Sequence, residues 1–129
     1  MKIIINRCYG GFGLSEKAVM RYAELAGMTL YPEKTEFGDT EYYKVPKEEF
    51  DNIKSENPKS YKVLNSLMFF ETFIKRNDPL LVRVVEELGI EADGYLATLK
   101  VVEIPDDILW KINDYNGMET VVENHRSWS

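Results

Sequence analysis

The sequence predicts a single mixed α/β (or α+β) domain over residues 1–129, built around a small mixed sheet. Three features predict it: an N-terminal strand–glycine loop–helix–strand unit, a second helix near residues 79–88, and a C-terminal β-hairpin. A chain of 129 residues has the usual size of one domain. Its 44% hydrophobic and 12% aromatic residues are enough to form a core.

The N-terminal unit begins with residues 3–5, three consecutive isoleucines that are typical of a strand buried on both faces. Three glycines between residues 10 and 13 then interrupt regular structure. Ser15 is a good N-cap for a helix, and Gly27 is the residue type that ends one. Residues 28–31 are predicted to form the next strand. The apolar face of the helix would consist of Val19, Tyr22, Ala23 and Ala26.

The middle of the chain carries weaker signals. Residues 41–45 are predicted to form a strand that ends at Pro46, and a short helix would follow as far as Ile53. Residues 55–60 are polar and predict a surface loop. Residues 67–74 are rich in aromatic and β-branched side chains, which favours a strand.

The second half has clearer boundaries. Asp78 and Pro79 fit the N-cap and first position of a helix that runs to residue 88, where Gly89 ends it. Residues 100–104 predict a strand. Asn116-Gly117 is the residue pair most typical of a type I′ turn, so residues 110–115 and 118–122 are predicted to form a hairpin.

Charge and cysteine content exclude several classes of function. The net charge of −6 and the lack of a Lys/Arg cluster argue against binding to duplex nucleic acid. A single cysteine, Cys8, allows no intramolecular disulfide and no cysteine-based metal cluster, and no cofactor is predicted. The apolar run at residues 3–5 is too short for a signal peptide, and no stretch has the length of a membrane span, so we expect a cytoplasmic protein without a membrane partner.

The glycine turn, defined as residues 10–15, is the predicted ligand site. Gly10, Gly11 and Gly13 let the backbone aim its N–H groups at one point, and Ser15 begins a helix with a positive dipole end. Such a site suits a phosphate or carboxylate if the amides face open space. The spacing completes neither a dinucleotide fingerprint nor a P-loop. A plain structural turn is the alternative.

Two groups of side chains could complete this site. Arg7, Tyr9 and Phe12 flank the turn, where an arginine and two rings would suit a nucleotide. Alternatively, both rings pack on the core and Arg7 forms a surface ion pair.

The C-terminal tail contains the other group: His125, Arg126 and Trp128. Either Trp128 docks on the domain or a partner subunit, or these residues return to the end of the first strand and line the pocket. Cys8 is expected to be a buried small hydrophobe, and its pairing with His125 in catalysis is the alternative.

Several segments together resemble a family of small, uncharacterised proteins of tailed phages and prophages. They are residues 5–15, the helix near residue 80, residues 102–107 and the closing His-Arg-Ser-Trp at residues 125–128. The resemblance implies a phage context in the cytoplasm of an infected cell. By analogy with phage proteins that sequester the cyclic nucleotide signals of CBASS or Thoeris defence, it implies a non-enzymatic sponge, expected to be a homo-oligomer.

Three functions are therefore predicted, in this order. The first is capture of a small phosphorylated molecule, most concretely a cyclic nucleotide. The second is a protein–protein interaction module that acts on a host or phage partner. The third is an enzyme that processes a nucleotide.

Overall fold

The N-terminal strand lies inside the main hydrophobic core of this computed structural model, which describes residues 1–123. Strand β1 (Lys2–Asn6) pairs antiparallel with β5 (Leu99–Glu103), and Ile4 faces Val101. On its other edge, the Ile4 N–H donates to the carbonyl oxygen of Arg76 at 2.8 Å. Its three isoleucines are all buried, which confirms the predicted buried strand.

Helix α1 (Glu16–Ala26) has the caps that its sequence predicts. The Ser15 side chain accepts a hydrogen bond from the Ala18 N–H, and Gly27 ends the helix in the left-handed conformation with φ 72°. Ala18, Val19 and Ala23 are buried against the core. Ala26, predicted to lie on this face, is exposed at the last turn.

Helix α4 (Pro79–Leu88) begins and ends where the sequence predicts. One carboxylate oxygen of Asp78 accepts from the Leu80 N–H at 2.8 Å and caps the helix. The other accepts from the Tyr22 hydroxyl at 2.7 Å, so the cap also joins α4 to α1. The buried face of α4 consists of Leu81, Val82, Val84 and Val85.

The remaining strands form two further small sheets. The order β2-β3-β4 joins β2 (Tyr31–Lys34), β3 (Thr40–Tyr43) and β4 (Met68–Phe69). Strands β6 (Trp110–Tyr115) and β7 (Met118–Glu123) form the predicted C-terminal hairpin, with positive φ at both turn residues, Asn116 and Gly117. The mixed α/β class is confirmed. All pairs between these named strands are antiparallel, so three small antiparallel sheets replace the single mixed sheet that was predicted.

The middle of the chain differs most from prediction. Helix α2 (Lys47–Glu56) follows Pro46 as predicted, but α3 (Tyr61–Ser66) and its small cluster with Tyr43 and Phe50 were not predicted. The strand predicted for residues 67–74 is wrong beyond Phe69, because residues 71–73 form a 3-10 turn. A long-range contact accompanies this turn: the Glu71 carboxylate bonds the Leu14 N–H. Strand β2 begins three residues later than predicted, at Tyr31.

No helix within residues 1–123 is long and apolar enough to cross a membrane.

Candidate functional site

A carboxylate of the protein itself is already bound at the glycine turn. A carboxylate oxygen of Glu71 accepts from the Leu14 N–H at 2.6 Å. The next amide, Ser15 N–H, donates to the carbonyl oxygen of Ala92 at 2.9 Å. The Ser15 hydroxyl is engaged as well, because it donates to the Glu91 carbonyl oxygen at 2.6 Å while it caps α1. Two backbone donors at the start of α1 are thus occupied by internal acceptors.

The glycines allow other parts of the chain to approach the turn closely. A Cβ on Gly10 would overlap the carbonyl oxygen and Cβ of Leu96. A Cβ on Gly117, at the tip of the β6–β7 hairpin, would lie 2.5 Å from the Gly11 nitrogen. The Gly94 N–H donates to the Gly13 carbonyl oxygen at 2.9 Å. Residues 94–96 and the hairpin tip therefore pack directly on the glycine turn.

A buried asparagine, which was not predicted to belong to the site, holds these segments together. Asn6 is fully buried, and its side-chain amide donates to the carbonyl oxygens of Cys8 and Gly117 at 2.6 and 2.7 Å. Its side-chain oxygen accepts from the Thr98 N–H at 2.8 Å. A polar residue directly after three buried isoleucines was the available signal, because such a group must be hydrogen-bonded.

An ion pair between a buried glutamate and a partly buried arginine extends this arrangement and was also missed. Glu119 is 4% exposed and accepts two hydrogen bonds from the Arg76 guanidinium, at 2.6 and 2.9 Å, and one from the Asn6 N–H at 2.8 Å. The Arg76 guanidinium also lies 3.6 Å from the centroid of the Phe12 ring. The hairpin, β1 and the glycine turn are thus joined through two charged side chains.

The side chains predicted to flank the glycine turn have different environments. The Arg7 guanidinium donates to the backbone carbonyl of Glu119 at 2.9 Å, while Phe12 is covered by Arg76. Tyr9 is largely exposed, and Cys8 is a half-buried free thiol. The remaining predicted site residues, His125, Arg126 and Trp128, lie outside the described residues, and so does any pairing of Cys8 with His125.

A cleft of about 440 Å³ opens beside the second half of the glycine turn. Its opposite wall is the β2–β3 hairpin, and Tyr42, Glu71 and Tyr95 complete its lining. Three carboxylates, those of Glu16, Asp39 and Glu71, line the cleft, together with the ammonium group of Lys34. Acidic residues thus outnumber basic ones in the lining of the cleft.

Burial changes the acid–base behaviour of two groups in this cleft. It raises the pKa of the Glu71 carboxyl, and the hydrogen bond from the Leu14 N–H opposes part of that rise. Burial, followed by the nearby carboxylates of Glu71 and Glu16, raises the pKa of Tyr42 to about 12. The Tyr42 phenol is therefore neutral at physiological pH.

The raised pKa of Tyr42 predicts a loss of stability in alkali. Its folded-state pKa of about 12 exceeds the ordinary value of 10, so its contribution to folding is complete below pH 10 and is lost as the pH rises toward 12. Between pH 8 and pH 11, we expect the urea midpoint of unfolding to decrease less for Tyr42→Phe than for the wild type. Equal decreases in the two proteins would contradict this assignment.

Four large apolar or aromatic side chains are exposed on the segments that meet at the glycine turn. They are Tyr9, Tyr95 (93% exposed), Leu96 and Tyr115. Leu96 also adopts a φ of 62°, a backbone conformation that is unfavourable for a branched side chain. Exposed aromatics together with a strained backbone are typical of a functional surface.

The chain matches no protein-family model, no curated protein and no solved structure. The resemblance to phage proteins therefore stays a prediction. Within residues 1–123, no group of three or more His, Cys, Asp or Glu side chains could hold a metal ion.

Proposed function

We propose that this chain is a non-enzymatic interaction module that binds a protein partner through the surface around its glycine turn. We call this surface the turn face and define it by Tyr9, Tyr95, Leu96 and Tyr115. The observation that carries the proposal is the exposure of these four side chains on segments that converge at one turn. Tyrosines supply large contact areas at a low entropic cost and are common among the residues that dominate binding energies.

Hydrogen bonds and an ion pair beneath the turn face favour docking without rearrangement of this surface. Asn6 joins the hairpin tip, residue 8 and residue 98 through its side-chain hydrogen bonds. The pair of Arg76 and Glu119 fixes the hairpin to β1. A surface that is ordered before binding loses less conformational entropy when the partner arrives.

Capture of a phosphorylated small molecule is less well supported. An incoming phosphate would compete with Glu71 for the Leu14 amide and would meet the three carboxylates that line the cleft. That function stays a prediction, as do the homo-oligomeric state and the cytoplasm of an infected cell as location. In the phage context that the resemblance implies, the partner would be a host or phage protein.

Selection from a random twelve-residue peptide library on immobilised protein tests the proposal. We expect the wild type to enrich a set of peptides and Tyr95→Ser to bind them about thirtyfold more weakly, because loss of one central aromatic costs about 2 kcal/mol. Tyr61→Ser is the matched control, since it removes an exposed tyrosine on α3. The control should bind these peptides like the wild type.

Two results would overturn the proposal. One is equal retention of the selected peptides by wild type and Tyr95→Ser. The other is thermal stabilisation of the wild type by linear or cyclic nucleotides that Arg7→Ala abolishes, because this would restore the phosphorylated-ligand function.

A further inference from the structure

We propose that the protein partner adds an extended segment, in which apolar and acidic residues alternate, as a strand along the outer edge of β5. The outer edge is the side of β5 that faces away from β1. This inference deepens the proposed function and rests on it, because β5 begins three residues after Leu96 of the turn face. A partner that covers the turn face can therefore reach this edge.

Hydrogen bonds to β1 show which backbone groups of β5 face outward. The Arg7 N–H donates to the carbonyl oxygen of Thr98 at 2.8 Å, and the Ile104 N–H donates to that of Met1 at 2.9 Å. Because bonded and non-bonded pairs alternate along an antiparallel ladder, the even-numbered residues of β5 bond to β1. The odd-numbered residues point their N–H and C=O groups to the outer edge: Leu99, Val101 and Glu103.

Most of these outward backbone groups have no partner. The Leu99 N–H donates to a carboxylate oxygen of Asp93 at 3.0 Å. Within residues 1–123, no hydrogen bond engages the outward N–H and C=O groups of Val101 and Glu103. A row of unpaired donors and acceptors along a sheet edge is the pairing surface for another extended backbone. The chemistry of the edge therefore calls for a strand.

A groove of about 270 Å³ beside this edge can receive alternate side chains of such a strand. Leu99 and Val101 line it from β5. The rest of its apolar lining comes from the end of α4 and the 3-10 turn that follows: Val85, Gly89 and Ile90. Ile90 is 87% exposed, so an added strand would cover a large apolar side chain. Since side chains alternate between the two faces of a sheet, every second partner residue would lie over the groove.

A lysine on the other face of β5 favours acidic residues at the intervening positions. Lys100 is exposed and forms no ion pair within residues 1–123. Opposite charges on neighbouring strands stabilise a sheet, so a partner carboxylate beside Lys100 is favourable. A second copy of this chain fits less well. Antiparallel pairing of two copies about Val101 would make the two Lys100 side chains diagonal neighbours on one face.

Amide hydrogen exchange of the full chain, measured by NMR, tests the inference. The probe is a peptide selected on the immobilised chain from a twelve-residue library in which apolar and acidic positions alternate. We expect the bound peptide to slow the exchange of the Val101 and Glu103 amides at least about tenfold. Lys100 and Val102 are the internal control, because their amides bond to β1 and should exchange slowly even without peptide.

Modified peptides test the strand geometry without changing the protein. In a strand paired at one edge, only alternate N–H groups face the neighbouring backbone. We therefore expect single N-methyl groups on every second peptide residue to weaken binding about tenfold or more. N-Methyl groups on the intervening residues should have little effect.

A charge reversal tests the acidic positions. Lys100→Glu should weaken binding of the selected peptide about threefold or more, because it places like charges on neighbouring strands. Lys62→Glu is the matched control, since it changes the net charge equally at an exposed lysine on α3. The control should bind the peptide like the wild type.

The outcomes separate this inference from the proposed function. The strand is wrong if no alternating peptide is enriched, if Val101 and Glu103 stay unprotected, or if protection appears on β6 instead. Protection of Val101 in a peptide-free dimer would make a second copy the occupant and would also overturn it. Peptides from the random library that depend on Tyr95 would leave the docking function standing in each case. That function fails separately, when Tyr95→Ser binds those peptides like the wild type.

Discussion

Replacing Glu119 with alanine should destabilise the protein by about 3–5 kcal/mol, because it leaves the Arg76 guanidinium without its buried counter-ion. The substitution also removes the acceptor of the Asn6 N–H, a buried backbone donor. We expect a large decrease in the urea midpoint of unfolding, with the m-value unchanged.

A surface ion pair provides the control for this prediction. Glu91 bonds Lys17 at 3.0 Å, and both side chains are more than half exposed. Glu91→Ala removes a carboxylate of the same kind and should cost at most about 1 kcal/mol. Similar losses for Glu119→Ala and Glu91→Ala would show that the Arg76–Glu119 pair does not hold the hairpin in place.

The second large effect is expected at Gly10. An alanine Cβ there overlaps backbone and Cβ atoms of Leu96, so one of the two segments must move. Overpacking of this kind costs about 1–3 kcal/mol. Because Leu96 belongs to the turn face, Gly10→Ala should also weaken binding of the peptides selected on the wild type, and both effects are measurable on one sample by urea unfolding and peptide titration.

Gly13 is the matched position in the same turn. A Cβ there meets only the Gly94 Cα, at an ordinary distance of 3.9 Å, and its φ does not require glycine. Gly13→Ala should therefore change stability by about 0.5 kcal/mol or less. If Gly10→Ala and Gly13→Ala behave alike, the close approach of residue 96 is not what requires glycine in this turn.

Local signals predicted the elements whose ends depend on neighbouring residues. The caps at Ser15 and Asp78 and the turn at Asn116-Gly117 were all correct, because the atoms involved lie within four residues of each other. The same signals placed three glycines at a turn between strand and helix, as observed. They could not indicate which groups occupy the amides of that turn.

The site itself depends on contacts between distant parts of the chain. Asn6 and Glu119 are 113 residues apart, and Glu71 reaches Leu14 across 57 residues. Single-sequence periodicity contains no information about such pairs. Local patterns therefore led to the prediction of a phosphate site, because a glycine turn before a helix is compatible with an external anion and with an internal carboxylate.

Strand β1 also constrains how the chain folds during synthesis. It is made well before its partners, which are β5, residue 76 and Glu119. Until they emerge from the ribosome, three consecutive isoleucines lack their native strand partner. Complete folding of this domain must therefore wait until Glu119 has been made, and we expect it to be slow for this size, with early exposure to chaperones and aggregation.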